Sequence, residues 1–289
     1  MEITLAHGTG NDFVVIDDRS DRLELDATLV RALCDRRTGP GADGVLRIGP
    51  GVGDAAVRMD YRNADGSIVE MCGNGLRVVA KYVVDRDLVP HDDGALVIAT
   101  PSGDRSVVTR RGHDGRVSDV TVDMGQPIWD PADVPFDADL PEALDVPLDV
   151  DGERLAITVV SMGNPHAVVR VEDVAAAPVA TLGPRVEVHD RFPKRTNVGF
   201  VQVVERDHVR LRVWERGVGE TAACGSGACA AGAALERLGL TDRAMAVDVP
   251  GGRLEVALRD DGHVLLTGPA VEIVTGTLDE AWLRAATAR

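Results

Sequence analysis

The chain repeats short motifs at a nearly constant spacing, and this duplication limits the folds that it can adopt. A C-G-x-G motif begins at Cys72 and begins again at Cys224, 152 residues later. Upstream, a V-R pair keeps the same offset, and a G-N-x-x-x-V pattern recurs between Gly10 and Gly163 at an offset of 153. Matches that recur in the same order indicate two halves of similar fold.

The duplication and the strand pattern together predict the fold class. A chain of 289 residues is long enough for two domains that each bury a core. Valine-rich runs such as VSDVTVDMG and RLAITVV alternate with turn signals, which predicts mostly antiparallel sheets or barrels. We therefore predict an α+β protein with two pseudo-symmetric domains. These are 1–124, completed by the C-terminal segment 275–289, and 125–274, with an irregular Pro- and Asp-rich stretch at 131–150.

Two apolar helical segments directly follow the repeated cysteines. They are LRVVAKYVV after Cys72 and ACAAGAALERL after Cys224, and both are apolar on nearly every face. A helix without a polar face is usually buried. Each domain is therefore predicted to wrap its strands around one central helix, and a ligand cleft is expected between the two domains.

The start of each helix has a chemical consequence for the cysteine beside it. The first backbone N–H groups of a helix lack partners and carry the positive end of its dipole, so they attract an anion. The same field is expected to lower the pKa of the adjacent thiol towards neutrality. If Cys72 and Cys224 face one another, a thiolate can remove an α-proton while a thiol delivers another to the opposite face. This pattern predicts a stereo-inverting enzyme.

No cofactor or metal is expected in this site. Pyridoxal phosphate would need a reactive lysine, but Lys81 lies in a buried helix and Lys194 in a loop without a phosphate-binding motif. The remaining cysteines, Cys34 and Cys229, are expected to be core residues, and no C-x-x-C pair suggests zinc. Helix termini are the expected means of stabilising the charge that develops on the substrate.

Charge and hydropathy exclude several classes of partner. The net charge is −16 and the chain has no basic stripe, so neither nucleic acid nor an anionic membrane surface is an expected partner. The N-terminus has neither a basic nor an apolar leader region, and no apolar run is long enough to span a bilayer. We expect a cytoplasmic location.

Several sequence blocks resemble one enzyme family. NADGS from Asn63 and CGNGLR from Cys72 are similar to the signature of diaminopimelate epimerases. GTGNDFVVID, GNPHAVV, RTNVGFV and WERGVGETAACGSGACA resemble further blocks of that family in the same order, so the resemblance covers nearly the whole chain. It implies an epimerase without pyridoxal phosphate that interconverts LL- and meso-2,6-diaminopimelate for lysine and peptidoglycan synthesis. It also implies a homodimer.

The resemblance also implies the roles of individual residues. Cys72 and Cys224 are the implied acid/base pair, and His166 and Glu215 are implied to stabilise the site near the reacting amino group. The implied substrate-binding residues are Asn11, Asn63, Gly73, Asn74, Asn164, Asn197, Glu215, Arg216, Gly225 and Ser226. Some relatives carry a substrate-contacting glutamine where this chain has Gly44, so no contact is assigned there.

Two other functions fit two facing thiols. A racemase of proline or hydroxyproline would also use two cysteines, but a cyclic substrate would have less use for Arg216 and the asparagines. A thiol–disulfide redox couple is the alternative from another class, because two activated cysteines within reach of each other can oxidise. Proton exchange at the α-carbon distinguishes both epimerisation and racemisation from the redox function.

Overall fold

The computed structural model describes residues 1–287, which divide into two compact units. Unit 1 is Met1–Val122 together with the C-terminal segment from Gly268, and unit 2 is Asp123–Thr267. The boundaries predicted from the sequence, after residues 124 and 274, lie slightly further along the chain. Residues 288 and 289, the end of the predicted segment 275–289, lie outside the described residues.

Unit 1 is built mainly of strands. In chain order its elements up to the first boundary are β1 (Glu2–Gly8), β2 (Asn11–Asp17), α1 (Ala27–Cys34), β3 (Gly44–Pro50), β4 (Val57–Asn63), β5 (Ile68–Val69), α2 (Gly73–Asp85), β6 (Ala95–Ala99), β7 (Arg105–Arg111) and β8 (Val117–Asp123).

Unit 2 continues the chain in the same manner. Its elements are β9 (Val146–Val150), β10 (Glu153–Ser161), β11 (Pro165–Arg170), α3 (Val179–Glu187), β12 (Asn197–Glu205), β13 (His208–Glu215), β14 (Gly219–Thr221), α4 (Gly225–Arg237), β15 (Ala244–Val249), β16 (Gly252–Leu258) and β17 (Val264–Pro269). The chain then returns to unit 1 with β18 (Val271–Thr277) and α5 (Glu280–Thr287).

The two units share one strand order. In unit 1 the pairing runs β18-β1-β2-β3-β4-β6-β7-β8, and in unit 2 it runs β9-β10-β11-β12-β13-β15-β16-β17. In both orders the third and fifth pairings are parallel and the others are antiparallel. The C-terminal strand β18 therefore takes the place in unit 1 that β9 takes in unit 2. The predicted α+β fold with an internal duplication is confirmed.

Each unit surrounds one helix with its strands. Twelve of the 13 residues of α2 and ten of the 13 residues of α4 are buried. Helix α2 packs against β1, β2, β3, β4, β6 and β7, and α4 packs against the equivalent strands β10, β11, β12, β13, β15 and β16. The apolar side chains of both helices lose their contact with water on every side in this way, and the polar side chains Arg77 and Lys81 of α2 are buried with hydrogen-bond partners.

The remaining helices cover the outside of the sheets. In unit 1, α1 and the side chains of Leu278, Trp282 and Leu283 join one core cluster. In unit 2, α3 packs with a second cluster, and Val134 and Phe136 from the irregular stretch 131–150 are buried in it. Within residues 1–287, no helix combines the length and the apolar character needed to cross a bilayer.

Candidate active site

The two repeated cysteines cap the two central helices. Cys72 is the N-cap of α2, and its Sγ accepts a hydrogen bond from the backbone N–H of Gly75 at 3.3 Å. Cys224 is the N-cap of α4, and its Sγ accepts from Gly227 at 3.4 Å. An N-cap side chain takes one of the otherwise unpaired amides and lies at the positive end of the helix dipole. Each unit therefore holds one sulfur beside the open end of a buried helix.

The second glycine of each C-G-x-G motif leaves room for this cap. A Cβ atom on Gly227 would lie 3.1 Å from Val213 Cγ2 and 3.2 Å from the Sγ of Cys224. A Cβ atom on Gly75 would lie 2.9 Å from Leu46 Cδ2. A larger residue at either position would have to displace the neighbouring core or the sulfur itself. This crowding explains why both copies of the motif carry glycine there.

In unit 1, the asparagines of the two repeated motifs contact each other. Asn74 lies in the first turn of α2, and its Nδ2 donates to Oδ1 of Asn11 at 3.2 Å. Asn11 begins β2 directly after Gly10, which adopts a φ of 82°. In unit 2, Gly163 precedes Asn164 with a φ of 91°. The repeated G-N motif thus marks the same left-handed turn in both units, and glycine adopts that conformation without strain.

Asn63 ends β4 at the turn before Cys72. Its Nδ2 donates to Ser67 Oγ at 3.1 Å, within the same turn. The neighbouring strand places Gly44 opposite Asn63. A Cβ atom on Gly44 would lie 2.4 Å from Cε2 of Tyr61, so the aromatic ring occupies the space that a side chain at position 44 would need. Gly44 accordingly contributes only backbone to this part of unit 1.

In unit 2, a chain of polar contacts leads to the second thiol. Nε2 of His166 lies 3.0 Å from Asn164 Oδ1 and 3.1 Å from Ser226 Oγ. Ser226 Oγ in turn lies 3.6 Å from Cys224 Sγ. Strand β11 carries His166, and the first turn of α4 carries Ser226. The structure thus brings together two segments of the chain that lie about 60 residues apart in the sequence.

The imidazole of His166 is neutral at physiological pH. Burial lowers its pKa to about 3, and the nearby charge of Arg216 acts in the same direction. Its Nδ1 is buried and has no hydrogen-bond partner among the described residues. A buried polar atom without a partner is unfavourable by about 1–3 kcal/mol, so this nitrogen is available to a polar group of a ligand.

The expected lowering of the thiol pKa does not hold for Cys224. Burial raises its pKa well above the ordinary value, and the carboxylate of Glu215 raises it further. Hydrogen bonds from Ser226 and Gly227 act in the opposite direction but do not outweigh burial. The expectation considered only the helix dipole, whereas desolvation of a fully buried sulfur is the larger effect. Cys224 is therefore a protonated thiol in the unliganded structure.

Glu215 and Arg216 lie at the end of β13, in a turn that buried groups hold in place. Thr221 donates its hydroxyl to Glu215. Asn197 Oδ1 accepts from the backbone N–H of Arg216 at 2.9 Å, and Asn197 Nδ2 donates to the Pro165 carbonyl. Asn197 thus holds the turn in place through both its amide oxygen and its amide nitrogen.

Glu187 is the second anchor of this turn, and no sequence motif pointed to it. Its carboxylate accepts from Trp214 Nε1 at 2.7 Å and from the backbone N–H of Gly217 at 2.9 Å. These two contacts lie on either side of Glu215 and Arg216. Glu187 lies at the end of α3 and belongs to none of the repeated sequence motifs. The only signal in the sequence was an acidic residue within the mostly apolar stretch VATLGPRVEV.

The predicted site residues thus form two groups, one in each unit. Unit 1 contributes Cys72, Gly73, Asn74 and Asn11, with Asn63 at the adjacent turn. Unit 2 contributes the second group, Cys224, Gly225, Ser226, Asn164, His166, Glu215, Arg216 and Asn197. Over residues 1–287, no three His, Cys, Asp or Glu side chains are arranged to hold a metal ion. Each group can hold an anion at a helix N-terminus and exchange a proton through sulfur.

Comparison with known proteins identifies relatives over nearly the full length. The family model described as diaminopimelate epimerase matches residues 3–129 and 158–273. A diaminopimelate epimerase from Thioalkalivibrio sulfidiphilus is 47% identical over 283 residues, which cover 96% of this chain and 99% of the relative. One from Pseudomonas aeruginosa is 46% identical over 278 residues, which cover 96% and 98%.

Solved structures of lower identity share the fold. A hydroxyproline epimerase from Agrobacterium vitis superimposes with a TM-score of 0.71 at 16% identity, over 98% of this chain and 93% of the other. A probable proline racemase from Agrobacterium radiobacter gives a TM-score of 0.70 at 16% identity, over 96% and 93%. At this identity the similarity shows only that the fold is shared.

Proposed function

Because this chain belongs to the diaminopimelate epimerase family, we propose that it interconverts LL- and meso-2,6-diaminopimelate by proton transfer between two cysteines. The observation that carries the mechanism is the repeated helix cap. In both units a cysteine sulfur takes the N-cap position of the one buried central helix. Two equivalent thiols are what inversion requires, because the proton must leave one face of the α-carbon and arrive on the other.

One turnover conserves the number of thiol hydrogens, because one cysteine is a thiol and the other a thiolate both before and after it. A thiolate at one cysteine accepts the α-proton, and the electron pair of the C–H bond passes into the substrate's α-carbon and carboxylate. The thiol at the other cysteine then gives its proton to the opposite face of that carbon. Burial and the charge of Glu215 keep Cys224 protonated in the unliganded protein. Cys224 is therefore the acid in the reaction direction that starts from this protonation state. Cys72 is then the base, and the roles exchange for the reverse direction.

The reacting carboxylate is proposed to lie against the helix N-termini. The amides of Gly73 and Asn74 open α2, and those of Gly225 and Ser226 open α4. These donors are already oriented, so they stabilise the negative charge that grows as the proton leaves, and one such donor is commonly worth about 10²–10³ in rate. The neutral imidazole of His166 can accept a hydrogen bond from the substrate's ammonium group at Nδ1. Glu215 offers that ammonium group a negative charge.

The rest of the substrate needs a polar grip. Arg216 can bind a carboxylate with two parallel hydrogen bonds, and in the unliganded structure its Nη1 donates to the Lys194 carbonyl instead. The amides implied to grip the distal end are Asn11, Asn63, Asn164 and Asn197. A site built to pair both ends of a diamino diacid leaves buried polar groups unpaired when proline binds, which disfavours a proline racemase.

The proposal involves no pyridoxal phosphate. The ammonium group of Lys81 is buried in α2 and paired with Asp85 at 2.7 Å, so it is not available to form a Schiff base. Lys194 lies in a loop, and its backbone carbonyl accepts a hydrogen bond from Arg216. The charge on the substrate is therefore proposed to be stabilised by backbone amides alone, and activity should survive treatment with a carbonyl-trapping reagent such as hydroxylamine.

Incubation in D2O tests this function directly. With LL-diaminopimelate, a reductant and hydroxylamine, we expect meso product that carries deuterium at one α-carbon, while unreacted substrate remains largely unlabelled early in the reaction. This asymmetry follows because the product receives its hydrogen from a thiol that has exchanged with solvent. The measurement is mass spectrometry of the separated isomers.

Two other results would contradict the proposal. Label in L-proline with none in diaminopimelate would identify a proline racemase. Reduction of a thioredoxin-like disulfide substrate, without any exchange at an α-carbon, would identify a redox protein.

A homodimer is also proposed, and strand β18 supports it. Its side chains Val271, Ile273 and Val274 are exposed by 42%, 60% and 53%. Adjacent exposed apolar side chains on one strand are typical of a protein interaction surface. We propose that a second copy of the chain covers this surface.

A cytoplasmic location is also proposed, and cell fractionation would test it.

The oligomeric state in solution tests the dimer surface. We expect the wild-type protein to have the mass of a dimer in size-exclusion chromatography with light scattering, and Val274→Glu to give monomers, because a buried carboxylate disfavours the interface. Val108→Glu is a matched control, since Val108 is also a strand valine of unit 1 and is 51% exposed. A monomeric wild type, or a dimeric Val274→Glu protein, would rule out this surface.

A further inference from the structure

A continuous row of hydrogen bonds links Arg77 in α2 to Asp43 beside β3. Arg77 Nη2 donates to Oδ1 of Asn74 at 2.9 Å, and Asn74 Nδ2 donates to Oδ1 of Asn11 at 3.2 Å. Asn11 Nδ2 then donates to Oδ2 of Asp43 at 3.0 Å. We call these four residues the amide relay. All of them belong to unit 1.

The two ends of the amide relay determine how the two amides between them point. A guanidinium has only donors and a carboxylate has only acceptors, whereas an asparagine amide has one end of each kind. Arg77 therefore requires the oxygen of Asn74, which turns the nitrogen of Asn74 towards Asn11. Asp43 requires the nitrogen of Asn11, which turns its oxygen towards Asn74. Neither amide can rotate by 180° without setting two donors or two acceptors against each other.

The two ends differ in how they are held. Arg77 is fully buried and also donates to Thr9 Oγ1 at 2.8 Å. Asp43 is half-exposed, with an ion pair to Arg36 at 2.8 Å, and its backbone N–H donates to Oδ1 of Asp12 at 2.9 Å. Asp43 can thus be replaced without opening the core, which makes it the end that an experiment can test.

We infer that Asp43 is a positioning residue, which holds the Asn11 amide in the orientation that binds the substrate. The inference rests on the proposed function, in which Asn11 grips the substrate. In the relay Asn11 uses one N–H and one lone pair, so the direction of its remaining N–H and lone pair towards the ligand follows from Asp43. Without the carboxylate, the Asn11 amide loses its charge-assisted bond, and only the neutral hydrogen bond from Asn74 holds its orientation.

The test is Asp43→Asn, which has the same shape but can offer either a donor or an acceptor. We expect KM for LL-diaminopimelate to rise about tenfold and kcat to change by less than about twofold, because an oriented grip contributes to binding the substrate and the transition state alike. The thermal unfolding midpoint should stay close to that of wild type. If Asp43→Asn does not fold, Asp43→Ala tests the same contact with a smaller side chain.

Arg36→Gln is the matched control. It removes the ion pair of Asp43 but leaves the bond between Asp43 and Asn11. We expect its KM to stay within about twofold of wild type. If Arg36→Gln raises KM as much as Asp43→Asn does, the ion pair is responsible and the inference is wrong.

A double-mutant cycle shows whether Asp43 acts through Asn11. In an Asn11→Ala background, Asp43→Asn should change KM by less than about twofold further, since the amide that it orients is gone. The same tenfold rise in both backgrounds would overturn the inference. Failure of the proposed function would look different, because the wild-type protein itself would then release no meso product.

Discussion

Replacing either Cys72 or Cys224 by serine is expected to lower kcat/KM for diaminopimelate by about 10²–10⁴-fold in both directions. Every turnover uses one sulfur as base and the other as acid, so neither direction can proceed normally without both. A serine hydroxyl keeps the N-cap hydrogen bond but is far too weak an acid to supply its conjugate base at neutral pH. The measurements are steady-state rates from LL and from meso substrate, together with deuterium uptake.

Cys34→Ser is the control for these two variants. Cys34 ends α1 in the core of unit 1, and burial, with the charges of Asp12 and Asp43, raises its pKa to about 12. It therefore offers no thiolate at neutral pH, and its replacement should leave kcat/KM within about threefold of wild type. A Cys72→Ser or Cys224→Ser protein that epimerises at the wild-type rate would disprove the two-thiol mechanism.

Asp85→Asn is expected to reduce the free energy of unfolding by about 3–5 kcal/mol. Lys81 and Asp85 form an ion pair within α2, and their side chains are only 8% and 2% exposed. Arg111 and Arg116 also lie within 3.8 Å of the Asp85 carboxylate, which in addition accepts from the backbone N–H of Val117 at 2.7 Å. Removing the negative charge leaves a buried ammonium group without its counter-ion. The measurement is urea unfolding followed by circular dichroism.

Glu280→Gln is the matched control for this stability prediction. Glu280 and Arg284 form an ion pair with the same spacing of four residues along a helix, but their side chains are 85% and 72% exposed. Solvent screens such a pair, so we expect a change of less than about 0.5 kcal/mol. Both variants are compared with wild type at one protein concentration, because dissociation of an oligomer would shift the unfolding curve. Equal effects of the two substitutions would show that burial does not control this ion pair.

The fold was largely predictable because its main features are local patterns that occur twice. The C-G-x-G motifs mark the starts of α2 and α4, and the largely apolar composition of the segments after them predicted that both helices are buried. The repeat also predicted that Cys72 and Cys224 take equivalent positions, and both are N-caps. The strand order, with its parallel third and fifth pairings, could not be read from the chain, because pairing depends on contacts between distant residues.

The candidate site was predictable in its members but not in their electrostatic state. The resemblance to a family pointed to His166 and Arg216. The lowering of the His166 pKa by the charge of Arg216 could not be predicted, because it depends on the distance between the two residues in the folded chain. The helix dipole alone suggested a lowered pKa for Cys224, and burial reverses it. The supporting residues Glu187 and Asp43 lie outside the repeated motifs, so no spacing pointed to them.

The residues alone thus establish the duplication, the two central helices and the pair of cysteines at their starts, since spacing and periodicity are properties of the chain itself. The folded structure decides that the Cys224 thiol is protonated and which way the amides of Asn11 and Asn74 point. These properties depend on desolvation and on the placement of charges that are distant in sequence, because electrostatic energies follow distances in space.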